Sequence, residues 1–329
     1  MSTKSAPPAP SATLFSHIPD AKKQAAAKAP AVAVVKPAAS VIVVAPNAAG
    51  TGKGNDFKVL MLKRNARGPF GGMHVFPGGK IDPADHSNDW SSIISPTQIA
   101  RSQANPTVSL GWKVASIRET FEECGVQLFT PPLSASADKV QEWRDKVHHK
   151  STNFIEMCKS SGVAPAVERV VYWSNWITPI VVPKRFDTHF FVAVLPSADA
   201  PSGQQHAADG KETLSMDWFT PNEALDAFYK GTIKFITPQF VNLTELSRMT
   251  FADLEAFVSK GVERPGIRPI TPEQAKGPDG TTFAVMPGDA LHSWTKNTAP
   301  VNAKNRVITI KHKNRDELQW VCENMGSKL

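Results

Sequence analysis

The sequence predicts an α+β fold, an α/β/α sandwich around a mixed β-sheet with helical insertions. Three observations carry that prediction. β-Branched and apolar runs bounded by turn residues recur at ASVIVVAP (39–46), FKVLMLKR (57–64), RVVYWSNWI (169–177) and FDTHFFVAVLP (186–196), and such runs read as strands. Helical stretches fall at 113–124, from about 137 to 159, at 221–230 and at 243–259. The two kinds of segment mix without strict alternation, the pattern of a sheet covered by helices rather than of repeated crossover units.

Taken in order, residues 1–37 are rich in Ala, Pro and Lys and read as a disordered tail, because that composition buries too little apolar surface to fold. Five lysines against Asp20 there supply +4 of the net charge of +7. The tail has the basic, acid-poor look of a mitochondrial leader, but its prolines interrupt any helix and the first arginine is Arg64. From residue 38 to residue 326 the chain reads as one domain. Its first two strands flank the Gly-rich turn AAGTGKGND and pair with each other. A helix opens after Thr220 in TPNE, where Pro stands at the first helical position and Glu three residues past the cap. The polar stretch at 137–160 is a helical insertion whose Trp143 and Phe154 are expected in the core.

With 41% apolar residues in 329, a sizeable core is possible. No run approaches the length of a membrane-spanning helix. The three cysteines, Cys124, Cys158 and Cys322, are too scattered for a disulfide framework or a CxxC metal site. The remaining charge is modest, so a nucleic-acid partner is not expected, although an anionic ligand would suit it.

IRETFEECGV, residues 117–126, carries the chemistry. At 100° per residue Val114, Ile117, Phe121 and Cys124 share one helix face, while Glu119, Glu122 and Glu123 gather on the other. Carboxylates three and four residues apart repel one another. An all-oxygen set of this kind suits a hard divalent ion such as Mg²⁺ or Mn²⁺. Arg118 can hold a carboxylate in place, and Gly125 can end the helix in a left-handed cap. Earlier in the chain stands FPGGKIDPAD, residues 76–85, with Gly78 and Gly79 able to make a sharp bend.

Together these two pieces resemble the box of the Nudix hydrolases, in which a glycine-led loop ending in an acid precedes REUxEExGU, with U apolar. Gly79 and Asp85 match the loop, and Arg118, Glu119, Glu122, Glu123, Gly125 and Val126 match the helix. Asp85 stands where Glu is usual, Thr120 where an apolar residue is usual, and 32 residues rather than seven separate Asp85 from Arg118. Loop length is thermodynamically cheap, so residues 86–111 read as a surface excursion inserted in the box. The resemblance implies a Nudix fold and hydrolysis of a nucleoside diphosphate derivative, with Glu119 and Glu123 as metal ligands. It implies Glu122 as ligand or water-orienting residue and Arg118 as orienter. Glu212, and beside it Asp217, are candidates for a further base.

KRNARGPFGGMHVFPGGKIDPAD is similar to the segment that coenzyme A diphosphatases carry, and SNWITPIVVPKRFDTHFFVA with the divided box is similar to the nucleoside diphosphate-linked moiety X motif 19 branch. That similarity implies cleavage of CoA or acyl-CoA, with Lys63, Arg64 and Arg67 available to the 3′-phosphate and Lys184 and Arg185 as weaker candidates of the same kind. The chain ends in SKL, residues 327–329, the address read by the peroxisomal import receptor. A peroxisomal enzyme of acyl-CoA metabolism is therefore expected. The rival readings are a peroxisomal NADH diphosphatase, which would carry an SQPWPFPxS stretch not seen here, and a non-catalytic nucleotide-, RNA- or protein-binding module of the same fold.

Overall fold

The computed structural model describes residues 33–65, 71–102, 108–195, 213–261, 267–277, 281–311 and 316–323. The main sheet is built on β1 (Val35–Pro46), which pairs in parallel with β8 (Arg185–Val194) along ten residues, from Val35 opposite Arg185 to Val44 opposite Val194. On its other side β1 pairs antiparallel with β2 (Phe57–Arg64) and, nearer its start, with β4 (Gly78–Lys80). β3 (His74–Val75) and β9 (Thr213–Phe219) flank β2, and β7 (Val171–Ile177) closes the far edge against β8. The sheet is mixed, as expected.

Side chains alternate between two cores. Val41, Val43, Phe191 and Ala193 face one, while Ile42, Val44, Phe190 and Val192 face the other. Burial on both faces explains why these strands read as nearly continuous apolar runs. The first core is covered by α3 (Leu110–Cys124), α4 (Ala137–His149) and α5 (Thr152–Ser161). The second is covered by α6 (Pro221–Tyr229), α7 (Thr237–Leu246), α8 (Phe251–Lys260) and part of a four-stranded antiparallel sheet, β10 (Glu273–Lys276), β11 (Thr282–Val285), β12 (Lys304–Lys311) and β13 (Asp316–Glu323). β5 (Phe129–Thr130) and β6 (Ala164–Pro165) form a separate two-stranded ladder. Among the described residues no helix is long and apolar enough to cross a membrane.

Several boundaries differ from the sequence reading. The sheet starts at Val35, so three residues assigned to the tail are in a strand; Pro37 lacks an N–H, yet its carbonyl accepts from Ile81 N at 3.1 Å. The helix at 137–159 is two helices broken at Lys150 and Ser151, and Trp143 and Phe154 are both buried. The helix expected at 243–259 is also two. Thr250 and Asp253 form a reciprocal capping box that starts α8 afresh, and α7 begins six residues earlier than expected, at Thr237. The TPNE cap is formed as read, Thr220 accepting from Glu223 N and the Glu223 carboxylate from Thr220 N.

Residues 86–111 are more than a surface excursion. They contain α1 (Trp90–Ile93) and α2 (Pro96–Ser102), and Trp90, Ile94 and Val108 are buried in the first core. Trp90 packs on Phe154, with ring centroids 5.6 Å apart, and its Nε1 donates to Ala84 O at 2.9 Å. The excursion is thus anchored in the core by a buried indole.

Candidate active site

α3 presents its apolar face to the sheet as the periodicity requires, with Val114, Ile117, Phe121 and Cys124 fully buried. Thr120 occupies an apolar position at no polar cost, because its hydroxyl donates to Ser116 O at 2.7 Å. Gly125 closes the helix at φ +72°, its N–H donating to Phe121 O at 3.0 Å.

The end of α3 has a second anchor that the sequence did not reveal. Arg144 of α4, itself buried, donates from Nε to Phe121 O at 3.1 Å and from Nη2 to Glu122 O at 3.1 Å. A cation on the last carbonyls satisfies orphan acceptors and complements the helix dipole. Arg144→Ala should therefore destabilise the protein by about 2–3 kcal/mol in urea unfolding, the range for hydrogen bonds to a charged group, with Arg144→Lys recovering only part of that because one ammonium cannot span two carbonyls.

The FPGG bend lies directly on β1. Val41 N and Ser40 Oγ both donate to Pro77 O, at 2.9 and 2.8 Å. Gly78 adopts φ +150°, and a Cβ there would fall 2.3 Å from Ala39 O, so only glycine fits. Its N–H donates to the Glu123 carboxylate at 2.9 Å, which ties the loop to the helix across 45 residues of sequence. At Gly79 a Cβ would lie 2.5 Å from the Glu119 carboxyl carbon. Gly79→Ala should displace Glu119 and cut turnover by about tenfold or more while leaving unfolding stability within about 1–2 kcal/mol, a separation that parallel kinetics and denaturation would read.

Asp85 answers the question raised by its short side chain and its distance from Arg118. It is 1% exposed and accepts a bidentate pair from Arg118, Nε to Oδ1 and Nη2 to Oδ2, both at 2.8 Å. The lost methylene is made up by backbone placement. Asp85 sits in a short 3₁₀ turn, Pro83–His86, capped by Asp82, and its carboxylate also accepts from Asp82 N at 2.8 Å. Arg118 then turns its remaining nitrogens to the glutamates. Nη1 donates to Glu119 at 3.0 Å and to Glu122 at 2.7 Å, and Nη2 also reaches Lys80 O at 3.1 Å.

Burial opposes the charge on Arg118, yet its hydrogen bonds to Asp85 and the fields of Glu119, Asp85 and Glu122 raise its pKa above the ordinary value. Burial also pushes Glu119 up to about 7, with the Glu122 and Asp85 charges adding to the shift and Arg118 opposing it. Glu122 is raised for the same leading reason. Carboxylates so short of solvent and so crowded gain from a further cation, and their all-oxygen chemistry fits a hard one. Among the described residues, however, no three acidic, His or Cys side chains converge as a formed metal site; Arg118 draws Glu119 and Glu122 to itself and Gly78 draws Glu123.

These groups open on a cavity of about 680 Å³. Gly78, Gly79, Arg118, Glu119, Glu122 and Glu123 line one part of it. His148, His149 and Lys150, at the end of α4, line the same cavity, and His148 Nδ1 lies 3.8 Å from Glu122 Oε2. The insertion at 137–160 thus reaches the site. Arg64 lines the cavity as well, but Lys63, its neighbour on β2, does not. Lys184 and Arg185 also lie off the cavity, and Arg185 donates to Thr178 O. Asp217 lies off it too, accepting from Ser215 Oγ at 2.8 Å. Arg67, Glu212 and the SKL tripeptide lie outside the described residues.

The sequence reading missed Lys80, the 148–151 corner, and the walls at 176–179 and 236–239. The wall at 236–239 had a local signal in ITPQF, a Thr-Pro pair of the kind that opens helices.

Comparison with known proteins agrees with the fold. The NUDT19 Nudix domain profile matches residues 35–108 and 100–249. Two proteins named acyl-coenzyme A diphosphatase NUDT19 are similar to the chain: that of Xenopus laevis is 31% identical, and that of Homo sapiens 27%, the alignment in each case covering 72% of both sequences. Among solved structures, a NUDIX hydrolase from Alicyclobacillus acidocaldarius superposes with a TM-score of 0.54 at 21% identity, covering 70% of this chain and 97% of its own. The matched segments contain both halves of the divided box, and the chain belongs to the NUDT19 family of Nudix hydrolases.

Proposed function

We propose that the protein hydrolyses the diphosphate of CoA and acyl-CoA, releasing 3′-phosphoadenosine 5′-phosphate and 4′-phosphopantetheine or its acyl derivative. The observation that carries the reading is one cavity with an acidic helix at one side and a long uncharged wall elsewhere, in a chain whose relatives are named for that reaction. Nudix hydrolases generally depend on a divalent cation. Here Glu119, Glu122 and Glu123 would hold it, as Mg²⁺ or Mn²⁺, where it would neutralise diphosphate charge and favour attack by water.

The protein's own groups do the positioning. Asp85 fixes the Arg118 guanidinium, which in turn fixes Glu119 and Glu122. Gly78 N–H fixes Glu123, and the bend at Gly78 and Gly79 brings backbone close enough for the substrate to lie against it. Arg64, Lys80 and Lys150 line the cavity as cations for substrate phosphates. With Lys63 off the cavity, Arg64 is the cation of that strand end assigned to the 3′-phosphate.

Purified protein offered CoA, acyl-CoA, NADH, ADP-ribose and diadenosine polyphosphates with Mg²⁺ or Mn²⁺ tests the proposal directly. CoA species should be turned over with the highest kcat/KM. A higher value for NADH would replace the reading with that of a nicotinamide dinucleotide hydrolase. We also propose peroxisomal residence on the strength of residues 327–329. A fluorescent fusion leaving SKL at its end should collect in peroxisomes and spread to the cytosol when the tripeptide is removed; unchanged import would assign the address elsewhere.

A further inference from the structure

The wall formed by the start of α7 has polar groups that the reaction does not use. Ile236, Thr237, Pro238 and Gln239 line the cavity together with Trp176 and Pro272, and none of them bears a formal charge. Ile236 holds the cap position and offers no side-chain acceptor, so the first turn of α7 is uncapped. Pro238 has no N–H, which leaves the main-chain N–H groups of Thr237 and Gln239 as the donors of that turn. Gln239 is 4% exposed, and its Oε1 has no hydrogen-bond partner among the described residues. A buried amide oxygen without a partner is costly, and such groups in native proteins call for an explanation.

A ligand that satisfied this wall would present an N–H donor beside an acceptor, on an uncharged and partly apolar stretch. A phosphate fails on both counts, since it supplies no donor when ionised and no cation stands among these residues. Two parts of CoA carry the right pair: the secondary amides of the pantetheine arm and the Watson–Crick edge of adenine. The apolar neighbours Ile236, Pro238, Trp176 and Pro272 suit an alkyl chain interrupted by amides. We propose that the start of α7 and Gln239 form a subsite that reads a pantetheine amide, the Gln239 side-chain amide accepting from its N–H and the first-turn N–H groups donating to its carbonyl. This rests on the CoA reading above and adds the residue that would separate CoA from diphosphates lacking pantetheine.

The test measures inhibition of CoA hydrolysis by the two product halves, 4′-phosphopantetheine and adenosine 3′,5′-bisphosphate, in wild type and Gln239→Met. Loss of one neutral hydrogen bond should raise the inhibition constant of 4′-phosphopantetheine and the KM of CoA about three- to tenfold, with kcat little changed and the bisphosphate constant unmoved. A rise confined to the bisphosphate would assign Gln239 to adenine and overturn the proposal. Unchanged constants, or equal rises in both, would overturn it as well. Gln239→Ala, which removes the amide without filling its space, serves if the Met variant does not fold. A wild-type protein that leaves CoA intact while cleaving NADH or ADP-ribose would refute the function itself, an outcome distinct from these.

Discussion

Glu123→Gln is expected to reduce CoA hydrolysis by at least about 10²-fold, and on the order of 10³-fold if Glu123 is a metal ligand in the reacting complex. The substitution is nearly isosteric. Glu123 is buried and accepts from Gly78 N at 2.9 Å, and a glutamine carbonyl can accept the same bond, so the loop should stay on the helix. The separation of charge from shape is the point of the experiment. The melting temperature should shift by only a few degrees while turnover collapses, and raising Mg²⁺ or Mn²⁺ should recover part of the loss if the fault lies in metal affinity. Activity equal to wild type would remove Glu123 from the machinery and place the chemistry elsewhere in the cavity.

Asp85→Ala should produce the largest loss of stability of any single change in the box, about 3–5 kcal/mol, the cost of breaking a buried ion pair from one side. Arg118 is buried, and Asp85 accepts a bidentate pair of bonds from it. With Asp85 gone, Glu119 and Glu122 remain as partners, so the guanidinium would be drawn fully onto them and out of its fixed plane. Activity should therefore fall by more than the loss of folded protein explains, which a comparison of kcat at equal folded fraction would show. Asp85→Glu restores the residue usual in Nudix boxes but inserts a methylene into a site already closed by the Asp82 cap. Overpacking of that kind costs about 1–3 kcal/mol, so the usual residue should be the worse one here. A double cycle with Arg118→Met would isolate the pair energy.

The parts of this site that could be read from sequence are those whose role is local. Glu119, Glu122 and Glu123 share a helix face because of a 3.6-residue period, and Gly125 ends that helix because a left-handed residue must. Each follows from its near neighbours. The four long strands of the main sheet were legible for a similar reason, since a strand buried on both faces has an apolar run that nothing else in the chain imitates. Arg144 was not legible. In a polar helix it looks like any solvated arginine, and only the docking of α4 on α3 gives it two carbonyls to hold. Gln239 is subtler, because the helix that carries it was read from residue 243, beyond its true start. The C-terminal sheet was missed because its strands are short or polar, as in EQAK and KNRVITIK. Residues 86–111 read as a surface excursion because a lone tryptophan in a loop-like stretch gives no direction, yet Trp90 is in the core.

The pairing of β1 with β8 has a consequence for how the protein is made. Val35 meets Arg185 and Val44 meets Val194, so β1 lacks a central neighbour until about 150 further residues have been synthesised. Parallel contacts of such long sequence separation form slowly. Until then β1 has β2, the glycine bend and α3 against it but an unpaired edge where β8 will lie, and a nascent chain in that condition presents a sticky edge. A ribosome stalled before residue 185 should hold a chain that is protease-sensitive and captured by chaperones even though every residue of the catalytic helix has already emerged.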